Sequence, residues 1–307
     1  MLAICIPVYN FDVNPLINAL VTEISSFQIP CEIVVIDDCS NAEFRSMNAP
    51  VEQHVKYVEL SKNVGRAKIR NLFLDHTEQE QLLFLDGDSV IISPAFLRTY
   101  LDSLSPSFPV ICGGRTYPEE RPSRRQLLRW KYGIQREFKS AIQRSHYPNE
   151  SFMTNNFLIN RELLEKIRFD ERLTDYGHED TLFGIELMRA GITIKHIENP
   201  ILNGDIETNE LFLSKTERAV ENLVLLMHHY EFSAELEKEV LLLRTAKKLK
   251  SLSGLIYWLH KLTAPVFLFF LKRGVVSLAC FSFYKLGYFT IKNKSFISIP
   301  VGRAEIH

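Results

Sequence analysis

Five short apolar runs, Leu2 to Val8, Glu32 to Ile36, Val55 to Leu60, Leu82 to Leu85 and Val110 to Gly113, alternate with segments whose apolar residues recur at helical spacing. The helical segments are Asn14 to Ser26, Val64 to His76 and Pro94 to Leu104. This alternation predicts an α/β fold, because each strand–helix–strand unit closes as a right-handed crossover onto a mainly parallel sheet. In such a sheet ligands bind beyond the carboxyl ends of the strands. The polar residues fall at those ends: Pro7, Tyr9 and Asn10 after the first run, Asp37 and Asp38 after the second, and Asp86, Gly87 and Asp88 after the fourth. Any one of them suits a turn or a cap. Three strand ends together point to a site.

The sharpest of these is FLDGD at 84–88. Two carboxylates one residue apart at the end of a buried strand are costly unless a cation lies between them. Their oxygens suit Mg²⁺ or Mn²⁺, ions that keep some water and take further oxygens from a substrate phosphate. The other reading is a strand-to-helix turn in which Asp88 caps the helix starting near Pro94.

A chain of 307 residues with 46% hydrophobic and 24% charged residues has the composition of an ordinary globular protein. Five cysteines without CxxC spacing read as reduced, mostly buried thiols of a cytosolic protein. The first residues, MLAICIPVYN, lack a basic n-region and read as a first strand, not a signal peptide. The net charge of −1 hides an asymmetry. Between Val240 and Ala304 there are eleven Lys and Arg and no Asp or Glu, against 25 basic and 36 acidic residues before Val240.

From Arg115 to Tyr147 the chain is basic and aromatic, with Arg124, Arg125, Arg129, Trp130, Lys131, Tyr132 and Arg136. This segment reads either as a helix and loop across a site entrance, with Trp130 a candidate acceptor contact, or as a solvated amphipathic helix. A strand near Phe157 to Asn160 and a helix from Arg161 follow. No GxGxxG or Walker A loop, GxSxG elbow or Cys/His zinc spacing is present in the sequence.

IPVYN at 6–10, VVIDDCS at 34–40, NVGRAKIRN at 63–71, FLDGD at 84–88 and YGHEDTLFG at 176–184 stand in an order that resembles the family 2 glycosyltransferases. These are inverting enzymes of the GT-A fold that use nucleotide-sugar donors, and the resemblance covers about residues 2 to 230. It implies a Rossmann-like, mainly parallel sheet flanked by helices over 1–230, with a helical appendage over 231–307. By position it assigns the donor base and ribose to Asp38, with Pro7, Tyr9 and Asn10 in the same pocket. Asn63, Gly65, Arg66 and Arg70 come near the base and diphosphate, although the two arginines equally suit an exposed helix face. Asp86 and Gly87 lie near the ribose, and Asp88 is the implied ligand of Mn²⁺ or Mg²⁺.

The resemblance also implies that Asp180 is the catalytic base, with Glu179 beside it holding acceptor hydroxyls or positioning the base. Both carboxylates equally suit the positive end of a helix. Asn155 and Asn156, in FMTNN at 152–156, are candidate acceptor contacts or Asx turns. Asn203 occupies the place where many relatives carry a metal-binding histidine, three residues beyond Asn199 and Pro200. An amide carbonyl ligates a hard cation more weakly, and His196 or Asp205 are possible substitutes. Gln126, Arg129 and Trp130 spell QxxRW, but this signature of processive synthases precedes Asp180 here instead of following it, which predicts transfer of a single sugar.

Beyond the expected helices at 209–230 and 234–250, uncharged runs at 262–271 and 274–284 are each shorter than the ~20 residues of a spanning helix. Their aromatics, interleaved with Lys and Arg, suit helices lying in an anionic membrane interface, or packing on the core or on a second copy. The expectation is therefore an inverting, metal-dependent transferase of one sugar, from a UDP-sugar to a glycan or lipid-linked acceptor. It would be peripheral on the cytoplasmic face of the plasma membrane, with no nucleic acid as partner. The alternative is a non-catalytic scaffold of the same fold.

Overall fold

The computed structural model describes residues 1–173, 176–229 and 233–297. Among the described residues ten strands form, in chain order β1 Leu2–Val8, β2 Cys31–Asp37, β3 Lys56–Glu59, β4 Gln81–Leu85, β5 Ser89–Ile91, β6 Val110–Cys112, β7 Arg115–Thr116, β8 Asn156–Asn160, β9 Lys195–His196 and β10 Ile201–Asn203. Seven of them make one sheet in the order β3-β2-β1-β4-β8-β6-β9. Every pairing in it is parallel except the two made by β8, which runs antiparallel between β4 and β6. The expected mainly parallel sheet is thus the one found. The three-stranded sheet β5-β10-β7 was not foreseen, because strands of two or three residues are too short to show a period.

The chain divides into two compact units: residues 1–120, 133–174 and 179–206 form the first, and 121–132, 175–178 and 207–307 the second. In the first, side-chain alternation along β1 builds both faces of the core. Leu2, Ile4, Ile6 and Val8 point to one face, where Leu16, Ile17 and Leu20 of the helix Asn14–Phe27 and Phe96, Leu97 and Tyr100 of the helix Phe96–Ser103 cover them. Ala3 and Cys5 point to the other, with Phe73, Phe84, Phe157, Phe169 and Phe183. Phe84 stacks on Phe157 at 4.9 Å between ring centroids, and Phe169 on Phe183 at 4.1 Å. These rings tie β4, β8 and the helix Glu179–Arg189 together beneath the strand ends that carry the polar residues.

The second unit is helical. Leu128, Leu213, Leu271, Leu278 and Phe281 form its apolar cluster. Gly287 lets the helices Ser253–Lys272 and Leu278–Ile297 approach closely, since a Cβ there would lie 2.3 Å from His260 Nδ1. The structure corrects the expectation of short apolar runs. Lys261 does not interrupt the helix, and the stretch Lys250–Lys272 is long and apolar enough, by length and composition, to cross a membrane. Only 17% of its most apolar stretch is buried. A single Lys has ordinary helix propensity, so it ends an uncharged run without ending a helix.

Candidate active site

All the expected site residues except Trp130 lie in the first unit; Trp130 lies in the second, on the helix Leu127–Tyr132. The loops after β1 and β2 are latched together. Asn10, at φ +49°, donates its N–H to Ser40 Oγ at 2.8 Å, and its Oδ1 accepts from Asn41 N at 2.8 Å. Tyr9 beside it is 55% exposed, open to a ligand. Asp37 is buried, accepting from Ser40 N and the Tyr57 hydroxyl. Asp38 accepts from Val64 N at 2.6 Å and Gly65 N at 3.1 Å, and Asn63 Nδ2 donates to its backbone oxygen at 3.2 Å. The expected donor residues Asp38, Asn63 and Gly65 therefore form one turn, with Gly65 at φ +83° where a side chain would be strained. Burial pushes the Asp38 carboxyl up, and the two N–H groups pull against it.

Next to this turn, the helix Arg66–Leu72 brings two arginines to two carboxylates. Arg70 is 1% exposed, so it is not the exposed helix-face residue that the sequence also allowed. It donates from Nη2 to Asp86 Oδ1 at 2.8 Å and from Nη1 to Arg66 O at 2.9 Å. Arg66 Nη1 donates to Glu179 Oε1 at 3.2 Å, and its Nη2 lies 4.0 Å from Asp86 Oδ2. The network joins β4, this helix and the start of the helix Glu179–Arg189.

The two adjacent carboxylates of that helix respond in opposite directions. Burial opposes the Glu179 charge, yet Arg66 and Arg70 hold its carboxyl below the usual range. Asp180 is pushed up to about 6, first by burial and then by the charge of Glu179, although Thr181 N donates to its Oδ1 at 2.7 Å. Glu179 is thus held toward its anionic form, while Asp180 is raised toward neutrality. Divergence of two neighbouring groups in this way suits distinct roles.

Asp88 is also raised to about 6, by burial and by the charge of Asp86. A cation would relieve both. In the three-stranded sheet β5 and β10 pair so that Asn203 stands opposite Ser89, the residue after Asp88, and the Ser89 hydroxyl is buried without a hydrogen-bond partner. Asp88, Ser89 and Asn203 thus offer oxygens from one end of a small sheet. Among the described residues no group of three His, Cys, Asp or Glu forms a metal cage. This donor set fits a hard divalent ion that takes its remaining oxygens from water and a diphosphate, and does not fit a closed structural site.

Two of the expected substitutes for a metal-binding histidine are placed differently. His196 is buried, with Nε2 at 2.8 Å from Pro148 O and Nδ1 at 3.3 Å from Arg144 Nη1, and burial lowers its pKa to about 4. Both ring nitrogens are engaged inside the fold. Asp205 is exposed beyond the end of β10.

Asn155 and Asn156 separate in role. The Asn155 Oδ1 is buried without a protein partner, an acceptor open to water or a ligand. Asn156 is fully buried and donates to Gly114 O at 2.8 Å and Asn199 O at 2.9 Å while accepting from the Tyr100 hydroxyl at 2.7 Å. Its side chain braces the site from within and does not face an acceptor, a correction to the expectation above. Gly87 is likewise a packing position, where a Cβ would press on Val8, Val13 and Pro7 O at 3.3 to 3.4 Å.

Sequence reasoning missed Arg115. It lies on β7, 3.4 Å from Glu137 and within reach of the Tyr117 hydroxyl, and its charge lowers the pKa of both Asp180 and Asp88. The only signal was Gly113-Gly114 at the carboxyl end of β6. Gly114 has φ +87°, and a Cβ on it would lie 2.5 Å from the Arg144 guanidinium. That guanidinium, fully buried, donates to Cys112, Gly113 and Ile197 carbonyls and fixes the path into β7.

The model of the glycosyl transferase family 2 matches residues 3–168, and the chain belongs to that family. A teichoic acid poly(glycerol phosphate) polymerase of Staphylococcus epidermidis is 24% identical over 163 residues, which are 51% of this chain and 22% of the relative. The chain therefore spans about a fifth of that protein's length. A mannosyltransferase of Pyrobaculum calidifontis, solved with GDP-mannose and Mn²⁺, superposes with a TM-score of 0.61 at 16% identity, covering 96% of this chain and 86% of the other. TarS of S. aureus, residues 1–349, covers 96% of this chain and 91% of its own with a TM-score of 0.48 and 17% identity. The fold is GT-A: a mainly parallel sheet flanked by helices, followed by a helical C-terminal region.

Proposed function

We propose that the chain transfers one sugar from a nucleoside-diphosphate sugar, a UDP-sugar in our reading, to a glycan or lipid-linked acceptor, with inversion at the anomeric carbon. The acceptor oxygen attacks the anomeric carbon in line with the departing diphosphate, and its proton passes to Asp180. The observation that carries this reading is the opposed state of two neighbours: Glu179 held as an anion by Arg66, and Asp180 raised to about 6. Asp38, with the Asn63–Gly65 turn, Pro7, Tyr9 and Asn10, forms the nucleoside end of the site. Arg66 and Arg70 order Asp86 between that end and the base. Asp88 and Asn203 are the residues that would hold Mn²⁺ or Mg²⁺, which when bound supplies Lewis-acid stabilisation of the leaving diphosphate. The Mn²⁺ and GDP-mannose of the mannosyltransferase and the teichoic acid poly(glycerol phosphate) named for the staphylococcal relative support this class of donor, metal and acceptor.

Residues 1–230 are assigned to this transferase region and 231–307 to a membrane-surface appendage on the cytoplasmic face. Leu255, Trp258, Leu259, Leu262, Val266, Phe269 and Phe270 are all exposed along the helix Ser253–Lys272, at spacings of three and four. Lys261 lies over the Tyr257 and Trp258 rings and Arg273 over Phe269. An apolar stripe edged by cations suits an anionic bilayer surface.

Calorimetric titration with UDP, with and without Mn²⁺, tests the donor site. Tighter binding with Mn²⁺ in the parent, absent in Asp88→Ala, is the expected result. Failure of UDP, GDP and dTDP alike to bind would favour a scaffold of this fold.

A further inference from the structure

Residues 133–147 fold over three inward anchors. Gly133 is seated against the Tyr117 ring, where a Cβ would lie 2.5 Å from ring carbons, and it begins a π-helical turn closed by Phe138 N donating to Gly133 O at 2.8 Å. Glu137 turns inward to Arg115 and the Tyr117 hydroxyl. Arg144 is locked beneath Gly114. A capping box between Ser140 and Gln143 fixes the turn that joins them. Single π-turns are frequent at functional sites.

The residues between and just after these anchors face outward and line an open groove of about 640 Å³: Gln135, Arg136, Phe138, Lys139, Gln143, His146 and Tyr147. All are exposed. No carboxylate lines it; the nearby Glu137 is committed to Arg115, and Glu198 accepts from Ala141 N at the head of the short helix. Arg136 and Lys139 form no ion pair among the described residues, so two full positive charges face the groove without a protein counter-ion. Phe138 and Tyr147, 42% and 65% exposed, line the groove with them.

We infer that this groove binds the acceptor, and that the acceptor is an anionic glycan chain bearing phosphodiester or carboxylate groups. The inference rests on the transferase reading above and adds the acceptor's chemistry to it. An arginine fork and a lysine point charge match phosphate or carboxylate, aromatic faces match the apolar faces of sugar rings, and two glutamines match hydroxyls. Glu137 and its neighbours tie the groove to the site: Arg136 and Phe138 flank the residue that holds Arg115, whose charge acts on Asp180. A chain lying in the groove is thereby linked to the proposed base through Glu137 and the charge of Arg115. An open cationic groove with two separate rings also suits a polymer better than a bilayer, which takes the continuous apolar face of an amphipathic helix.

The test is calorimetric or fluorescence titration of the full chain with three probes: a short glycerol phosphate oligomer, an oligogalacturonate and a neutral maltooligosaccharide. The parent is expected to bind at least one anionic probe at least tenfold more tightly than the neutral one, and which of the two binds identifies phosphate or carboxylate. Arg136→Gln with Lys139→Gln should weaken that binding tenfold or more and flatten its salt dependence, and Phe138→Ala with Tyr147→Ala should weaken it at unchanged salt dependence. All four residues are exposed, so the variants keep the fold, and UDP titration of the same samples reports the donor site separately. Equal binding of neutral and anionic probes, unchanged affinity in the charge variant, or no binding of any probe by a protein that does bind UDP overturns the inference. So does binding to phosphatidylglycerol vesicles that the Arg136 and Lys139 changes abolish while glycan binding is absent.

Discussion

At the scale of single residues, the site works by making neighbours unlike. Asp86, Asp88, Glu179 and Asp180 are four carboxylates with two arginines interleaved: Arg66 and Arg70 hold Glu179 low, while burial pushes Asp88 and Asp180 up. If Asp180 is the base, only its ionised form accepts the acceptor proton, so kcat/KM falls as pH drops through about 6. Glu179→Gln removes the negative charge that helps raise Asp180. The acid limb of the pH–rate profile should then move to lower pH, and an unmoved limb would mean that some other group titrates. Asp86 and Asp88 were legible because a carboxylate pair at a strand end demands a counter-charge. Arg115 was not, because an isolated arginine on a two-residue strand carries no pattern, and its contacts with Glu137 and Tyr117 span 22 and 2 residues of chain.

At the scale of elements, the small sheet and its anchors place the chemistry. Arg144 fills the space that a side chain at Gly114 would need, so Gly114→Ala both crowds a buried guanidinium and strains a backbone at φ +87°. Overpacking of this kind costs about 1–3 kcal/mol, and left-handed backbone adds about 1–2 kcal/mol. Urea unfolding should show the loss, whereas Gly191→Ala, at φ +74° with open space around it, should pay the backbone cost alone. The long strands and their helices were readable because their apolar residues keep a period of two or of 3.6 over several turns. β8 is the instructive case: its sequence announces a strand, but nothing local says that it enters the sheet antiparallel between β4 and β6. Asn156 shows the same limit, since its side chain is committed to Gly114, Asn199 and Tyr100 by folding over more than 40 residues of chain.

At the scale of the whole molecule, the charge asymmetry and the apolar stripe of Ser253–Lys272 predict binding to anionic vesicles. Trp258→Ser with Leu262→Gln, at 69% and 76% exposed positions, should abolish co-sedimentation without unfolding the protein. Co-sedimentation that survives both changes would assign the stripe another partner. Truncation after Lys250 is a poorer probe, because it would strip Leu271, Leu278 and Phe281 from Leu128 and Leu213 and expose the second unit's core. The central claim, a metal-assisted transferase with Asp180 as base, is met most directly by donor hydrolysis across UDP-, GDP- and dTDP-sugars with Mn²⁺ or Mg²⁺. One donor should turn over, with Asp88→Ala abolishing turnover and Asp180→Asn lowering the rate of transfer to acceptor by about 10²- to 10⁴-fold. Transfer that proceeds undiminished in Asp180→Asn, or no turnover of any donor by a protein that binds none of their nucleotides, would contradict the account.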